Sequence, residues 1–217
     1  ASVLAVDCSR EDLAARFAAT DAVSTLVADV TASDAPAKIV NAAVERLGGI
    51  DILVNNAGIV VAGQFETLTD EQFDTIMDVN VRAMFRLSRE AVDYLKQSGC
   101  GRIINLGSIM SDLAGPALSI YGTSKHAVAG LTKGMAVDLG AYGITVNYLQ
   151  PGSIVTRMSE PFMDDPAFKQ YWEDKAPIGR LGQPEEVAAA ALFLASEDAQ
   201  FVSGVGFNVD GGAIVKF

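Results

Sequence analysis

Short β-branched or apolar runs alternate with amphipathic stretches along the whole sequence, and this alternation restricts the fold more than any other feature. Strands buried on both faces read as such runs, and runs separated by helices pair in parallel. Strands are predicted from Ser2 to Val6, Thr25 to Ala28, Ile50 to Asn55, Arg102 to Leu106, Ile144 to Leu149 and Gly204 to Val209. Between them, apolar stripes recur at helical spacing: Val40, Val44 and Leu47; Phe73, Ile76, Met77 and Met84; Val128, Leu131 and Met135; Val187, Ala190, Ala191 and Leu194. Thr69 with Gln72 has the spacing of a capping box ahead of a helix reaching Lys96, and Pro184-Glu185-Glu186 opens the last helix. With no repeat or polar linker in 217 residues, a single α/β domain with a doubly wound parallel sheet is expected.

Charge and composition narrow the function. Sixteen basic against 27 acidic residues leave a net charge of −11 with no basic run, which argues against nucleic acid and anionic membranes as partners. Cys8 and Cys100 make no disulfide framework or paired metal motif, and with one histidine no metal site is expected. Neither a signal peptide nor an apolar span is visible, so the expectation is a soluble cytoplasmic protein. The stretch from about 153 to 183 breaks the pattern: Met158, Pro161, Phe162, Met163, Pro166, Phe168, Trp172 and Pro177 crowd together without a clean period. This composition reads as a lid over an apolar ligand, with a partner interface or ordinary core as the alternatives.

Tyr121 and Lys125 stand four apart on one helix face, so the ammonium is expected to favour phenolate and bring the tyrosine pKa toward neutrality. Tyr171 and Lys175 repeat the spacing, where a solvated helix face is the better reading. Ser108 lies just past the strand ending at Leu106, at the end of the sheet where open α/β folds place ligands; alone it would be a turn or cap serine. Asn80 falls on an apolar stripe, where its amide needs a buried partner: it tethers a helix kink or orders a water beside Lys125. Asn55-Asn56-Ala57-Gly58 ends a strand in small residues that allow close approach by a flat ligand. Asp7 ends the first strand where a carboxylate can accept both ribose hydroxyls of an adenosine and repel a 2′-phosphate. Capping of the next helix is the competing reading, and Asp29 has the same ambiguity. Pro151, Gly152 and Thr156 come after another strand end. His126 projects away from Lys125 around the helix and reads as a surface residue.

Taken in order, Asp7, Asn55-Asn56-Ala57-Gly58, Asn80, Ser108, Tyr121-x-x-x-Lys125, Pro151-Gly152 and Asp210-Gly211-Gly212 resemble the short-chain dehydrogenase/reductase family over the whole chain. The resemblance implies a Rossmann-like domain, a homotetramer or dimer, and hydride transfer between a nicotinamide cofactor and a secondary alcohol or ketone. It makes Tyr121 the general acid/base, Ser108 the group that polarises the carbonyl, Lys125 the ribose and tyrosine partner, and Asn80 the holder of a relay water. It assigns cofactor contacts to Asp7, Asp29, Val30, Asn56, Ala57, Gly58, Val79, Tyr121, Lys125, Pro151, Gly152, Ile154 and Thr156, and the acidic Asp7 implies NAD rather than NADP. An apolar substrate pocket is expected from Ser108, Met110, Met158, Phe162 and Trp172. The sequence departs from the family at its start: the strand, glycine-rich turn and helix expected before Ser2 are absent from this sequence. Their loss is expected to leave the strands ending at Asp7 and Asn55 unpaired or force them together, and to weaken the hold on a pyrophosphate. A family member without dehydrogenase activity, binding a partner or using Tyr121 and Ser108 without nicotinamide, is the alternative.

Overall fold

The computed structural model describes residues 1–17, 20–160 and 164–216. Its elements run β1 (Val3–Asp7), α1 (Arg10–Phe17), β2 (Val23–Val27), α2 (Ala35–Leu47), β3 (Ile52–Asn55), α3 (Asp70–Met77), α4 (Ala83–Ser98) and β4 (Arg102–Leu106). They continue with α5 (Ser119–Leu139), β5 (Thr145–Pro151), α6 (Pro166–Lys175), α7 (Pro184–Ala195) and β6 (Gly206–Val209). Every strand pairing is parallel. The predicted strands are all present, β4 with both ends as predicted and the others with at least one end displaced by one or two residues, as expected where fraying and turn chemistry decide.

Helices cover both faces of the central strands. Ile103 and Val146 pack with Val40, Ala91 and Leu95 from α2 and α4. On the opposite face Ile104 and Leu149 meet Leu194 of α7. Both strands are buried along nearly their whole length, and their amides find partners inside, Asn105 donating to Thr132 and Asn147 to the Val202 carbonyl. This is the doubly wound α/β architecture expected from the alternation.

The sheet is in two pieces, β1–β2 and β3–β4–β5–β6. Of the two arrangements expected, the strands ending at Asp7 and Asn55 are the unpaired one: no ladder joins β1 to β3 among the described residues. One face of β3 also lies open, with Ile52 40% and Val54 46% exposed while Leu53 packs inward. The β1–β2 piece is held by its own small core of Ala28, Ala35 and Ile39, by Leu87 of α4 packed on it, and by Arg86 of α4 donating to the carbonyls of Thr31 and Ser33.

The helix predicted from Thr69 to Lys96 is interrupted. Thr69 and Gln72 form the capping box that starts α3, but Asp78–Arg82 is a π turn before α4 begins. Such a turn inserts one extra residue and rotates the helix beyond it. Asn80 sits inside it, 1% exposed.

Candidate active site

The carboxyl ends of parallel strands gather on one rim, bringing together Asp7, Asn55, Leu106 and Pro151. From Leu106 the chain passes through Gly107, where a Cβ would stand 2.8 Å from the Leu149 carbonyl oxygen, 2.8 Å from Ser111 Oγ and 2.9 Å from the Tyr148 ring. Only glycine fits there, and it delivers Ser108 to the rim. Ser108 is buried and caps a short 3-10 turn, its Oγ accepting from Met110 N at 3.1 Å. The cap reading of this serine is therefore realised. The Ser108 side chain also acts on the Tyr121 phenol, favouring its ionised form, so the cap does not preclude a second role.

Tyr121 and Lys125 share the buried face of α5. Lys125 is 5% exposed. Its Nζ donates to the Leu106 carbonyl at 2.8 Å and stands 5.6 Å from the centre of the Tyr121 ring. Burial pulls this ammonium down to about 8. The expected lowering of the tyrosine does not occur. Burial pushes the Tyr121 phenol above its ordinary value, and the Ser108 hydrogen bond offsets only part of that. The reason is geometric: the ammonium addresses a backbone carbonyl and the ring, and burial penalises phenolate more than this placement stabilises it. Tyr171 and Lys175 show the identical 5.6 Å spacing, yet Tyr171 is half exposed. Spacing does not separate the two pairs; burial does.

Asn80 is a tether. Its Oδ1 accepts from Ile59 N at 2.8 Å, and its Nδ2 donates to Ile59 O at 2.9 Å and to Ser124 Oγ at 2.9 Å. Ser124 in turn donates to the Tyr121 carbonyl. The amide thus ties the loop after β3 to α5, the structural alternative read from its apolar position. At Gly58 an added Cβ would lie 3.4 Å from Asn80 Oδ1 and 3.6 Å from Lys125 Nζ, so Gly58, Asn80 and Lys125 converge. Val79 lies in the same π turn. Beneath them Asn55 Nδ2 donates to Ser88 Oγ and Asn105 Oδ1, and Asn105 donates to Thr132. No motif marks Ser88, Asn105, Thr132 or Ser124 in the sequence. Asn105, inside a predicted strand, and Asn55, at the end of another, are the available signals, because buried amides require partners.

The remaining predicted cofactor residues lie around the rim. Asp7 accepts from Ser9 N at 2.8 Å through one carboxylate oxygen. Asp29 accepts from both the amide and hydroxyl of Thr31, which holds its carboxyl below the ordinary value; Val30 is next in the chain. Asn56 and Ala57 lead from β3 to Gly58. Gly152 presses on Asp210, whose Cα an added Cβ would approach to 2.9 Å. Ile154 forms a β-bridge to Gly182, and Thr156 N donates to Ser159 Oγ. Arg157 makes a bidentate pair with Asp12 of α1, linking the segment after β5 to the β1–β2 piece.

The predicted substrate pocket is only partly assembled. Met110 is buried against Gly115, near Ser108. Met158 is exposed, and Phe162 lies outside the described residues. Trp172 instead lines a cavity of about 330 Å³ beyond β5 and β6 with Ile154, Ile178, Arg180 and Asp210. His126 is exposed on α5, its Nδ1 2.9 Å from the Gly122 carbonyl. No described helix is long and apolar enough to cross a membrane.

Comparison with known proteins accords with this arrangement. Residues 1–213 match the family model described as enoyl-(acyl carrier protein) reductase. The gluconate 5-dehydrogenase of Gluconobacter oxydans is 42% identical over 194 residues, covering 89% of this chain and 75% of that protein. The crystal structure of a gluconate 5-dehydrogenase from Burkholderia cenocepacia, in complex with NADP and tartrate, superposes with a TM-score of 0.93 at 35% identity, covering 100% of this chain and 87% of that one. ElxO with NADP bound superposes with a TM-score of 0.91 at 30% identity, covering 98% and 88%.

Proposed function

Because this chain belongs to the short-chain dehydrogenase/reductase family, whose members here are hydride-transferring oxidoreductases, we propose that it interconverts a secondary alcohol and a ketone with Tyr121 as general acid/base and a nicotinamide cofactor. The observation that carries the reading is the convergence at the rim of buried Ser108, the Tyr121 phenol whose acidity it influences, and buried Lys125 with Nζ 5.6 Å from the Tyr121 ring centre. Burial keeps the phenol protonated at neutral pH, the form needed to donate to a carbonyl being reduced. Ser108 holds the same carbonyl oxygen and polarises it.

The residues present fit the nicotinamide-ribose end of such a cofactor. Lys125 gives one of its three N–H groups to Leu106, leaving two for ribose hydroxyls, and Gly58, lacking a side chain, brings the loop backbone close to Asn80 Oδ1 and Lys125 Nζ. When bound, the nicotinamide supplies or accepts the hydride. Asp7 would address the adenosine ribose with its second carboxylate oxygen. Its charge favours NAD, while the NADP held by the solved relatives weighs the other way. Arg10, at the start of α1, is the neighbouring cation that a 2′-phosphate would use. The described parts of the segment from about 153 to 183, residues 153–160 and 164–183, are read as the lid, with the Arg157–Asp12 pair tying its first part to α1. A homo-oligomer is supported by exposed Leu192, Phe201 and Val205 around β6.

Titration with NADH and NADPH, followed by Trp172 fluorescence, tests the cofactor; absorbance at the nicotinamide band tests turnover on a panel of hydroxy acids, polyols and simple ketones. Saturable binding of one dinucleotide with turnover of at least one ketone is expected. Absence of binding by both would overturn the reading in favour of a family member without dehydrogenase activity. Light scattering that returns only the monomer mass would overturn the oligomer.

A further inference from the structure

Ser108 and Tyr121 are joined by a stretch that leaves the sheet, crosses the rim and enters α5, and it is fixed at distinct points. Near its start, buried Gln150 of β5 donates to the Asp112 carboxylate at 2.7 Å. Near its end, the Ala117 carbonyl accepts from Gly63 N at 2.9 Å. Ala117 has φ +58, and no other described residue except glycine has a positive φ. The left-handed region is disfavoured for alanine because its Cβ crowds the backbone, so the surroundings must impose it. They do so on both sides: Gly63 holds the carbonyl, and Leu118 lies so close over Gly115 that an added Cβ there would come within 3.1 Å of its Cδ1.

The next residue is already committed to the helix, since the Leu118 carbonyl accepts from Gly122 N at 2.7 Å. The direction in which α5 sets out is therefore decided at Ala117, and Tyr121 rides one helical turn beyond it. At roughly 6 Å of helix rise from this pivot, a small change in the turn displaces the phenol by an appreciable part of the distance over which catalysis is lost. Gly63 belongs to the loop that continues from Asn56-Ala57-Gly58 and that Asn80 anchors at Ile59. The turn thus sets Tyr121 against the same loop that faces Lys125.

We infer that Ala117 is a positioning residue, whose left-handed turn, tied to Gly63, sets where the Tyr121 phenol meets Ser108. The inference rests on the reading of Tyr121 as the proton-transfer residue. Its consequence is that function at position 117 tracks tolerance of the left-handed region rather than side-chain size.

The test compares Ala117→Gly, Ala117→Asn and Ala117→Val. Glycine and asparagine accept positive φ, whereas β-branched valine, close to asparagine in bulk, does not. Two readouts are taken: kcat and KM, and the ionisation midpoint of Tyr121 from 295 nm absorbance as the difference from Tyr121→Phe. Glycine and asparagine are expected to stay within about threefold of the parent in kcat, with the midpoint unchanged. Valine is expected to lose about 30-fold or more in kcat with KM altered less than about threefold, and to move the midpoint as the Ser108 contact is lost. Should valine prevent folding, Ala117→Thr, β-branched but smaller than valine, is expected to lose about fivefold by the same logic. A folded valine variant with parental kcat and midpoint, a threonine variant with parental values, or an asparagine variant as impaired as valine would overturn the assignment. If the parent shows no turnover on any substrate, the functional reading fails, and the midpoints alone decide the role of Ala117.

Discussion

Replacing Lys125 with methionine tests the electrostatics of the site independently of any substrate. The ammonium is held at about 8, against 10.5 for an unburied lysine, and its cause is burial. Between those values the folded state binds fewer protons than the unfolded chain, so stability rises with pH through that window. At neutral pH the buried charge costs about 3 kcal/mol, of which about 2 kcal/mol is recovered by pH 9.5. Lys125→Met removes that cost but leaves the Leu106 carbonyl without its donor, a loss of about 1–3 kcal/mol. The variant is therefore expected to be as stable as the parent at pH 7, or up to about 2 kcal/mol more so. The sharper signal is the difference between the two proteins across pH, because Cys8, Tyr121 and Tyr148, all raised by burial, contribute to both and cancel. Urea denaturation at intervals from pH 7 to 9.5 should show the parent gaining on the variant by about 2 kcal/mol. Parallel curves would refute the claim that Lys125 carries a buried charge.

Other substitutions probe the remaining groups. Tyr121→Phe should abolish turnover and leave urea stability nearly unchanged, whereas Tyr171→Phe should alter neither; equal losses would mean that burial does not distinguish the two pairs. Asn80→Ala leaves Ile59 N, Ile59 O and Ser124 Oγ without their partner in the interior, and should cost about 2–4 kcal/mol in urea unfolding. A loss below about 0.5 kcal/mol would show that the tether is dispensable. Asp7→Ala should shift the ratio of NAD to NADP affinity toward NADP by about tenfold, and an unchanged ratio would remove Asp7 from cofactor selection.

Much of this arrangement is legible in the letters because parallel strands buried on both faces are built around short clusters of apolar and β-branched residues. Arg102 to Leu106 matches its strand without displacement, whereas the first strand is offset by a residue because its ends are exposed and weakly specified. The π turn is not legible: Asp78 to Arg82 carries no glycine or proline to break the helix, and only an amide on an apolar stripe marks it. Tyr121 is readable as a candidate, but its pKa is not. The spacing to Lys125 fixes proximity alone, and the sign of the shift depends on what surrounds both groups, which only tertiary packing determines. The same limit applies to Trp172, whose apolar character is evident while the cavity it joins is set by β5 and β6.

The division of the sheet hands the alignment of its two pieces to the helices. Leu87 packs on the small core of Ala28, Ala35 and Ile39, Arg86 grips the Thr31 and Ser33 carbonyls, and Arg157 clasps Asp12 from the far side. α4 is thus a beam laid across the seam, and loosening these clasps should let the β1–β2 piece swing and carry Asp7 out of line while the packing around Ile103 and Val146 stays intact.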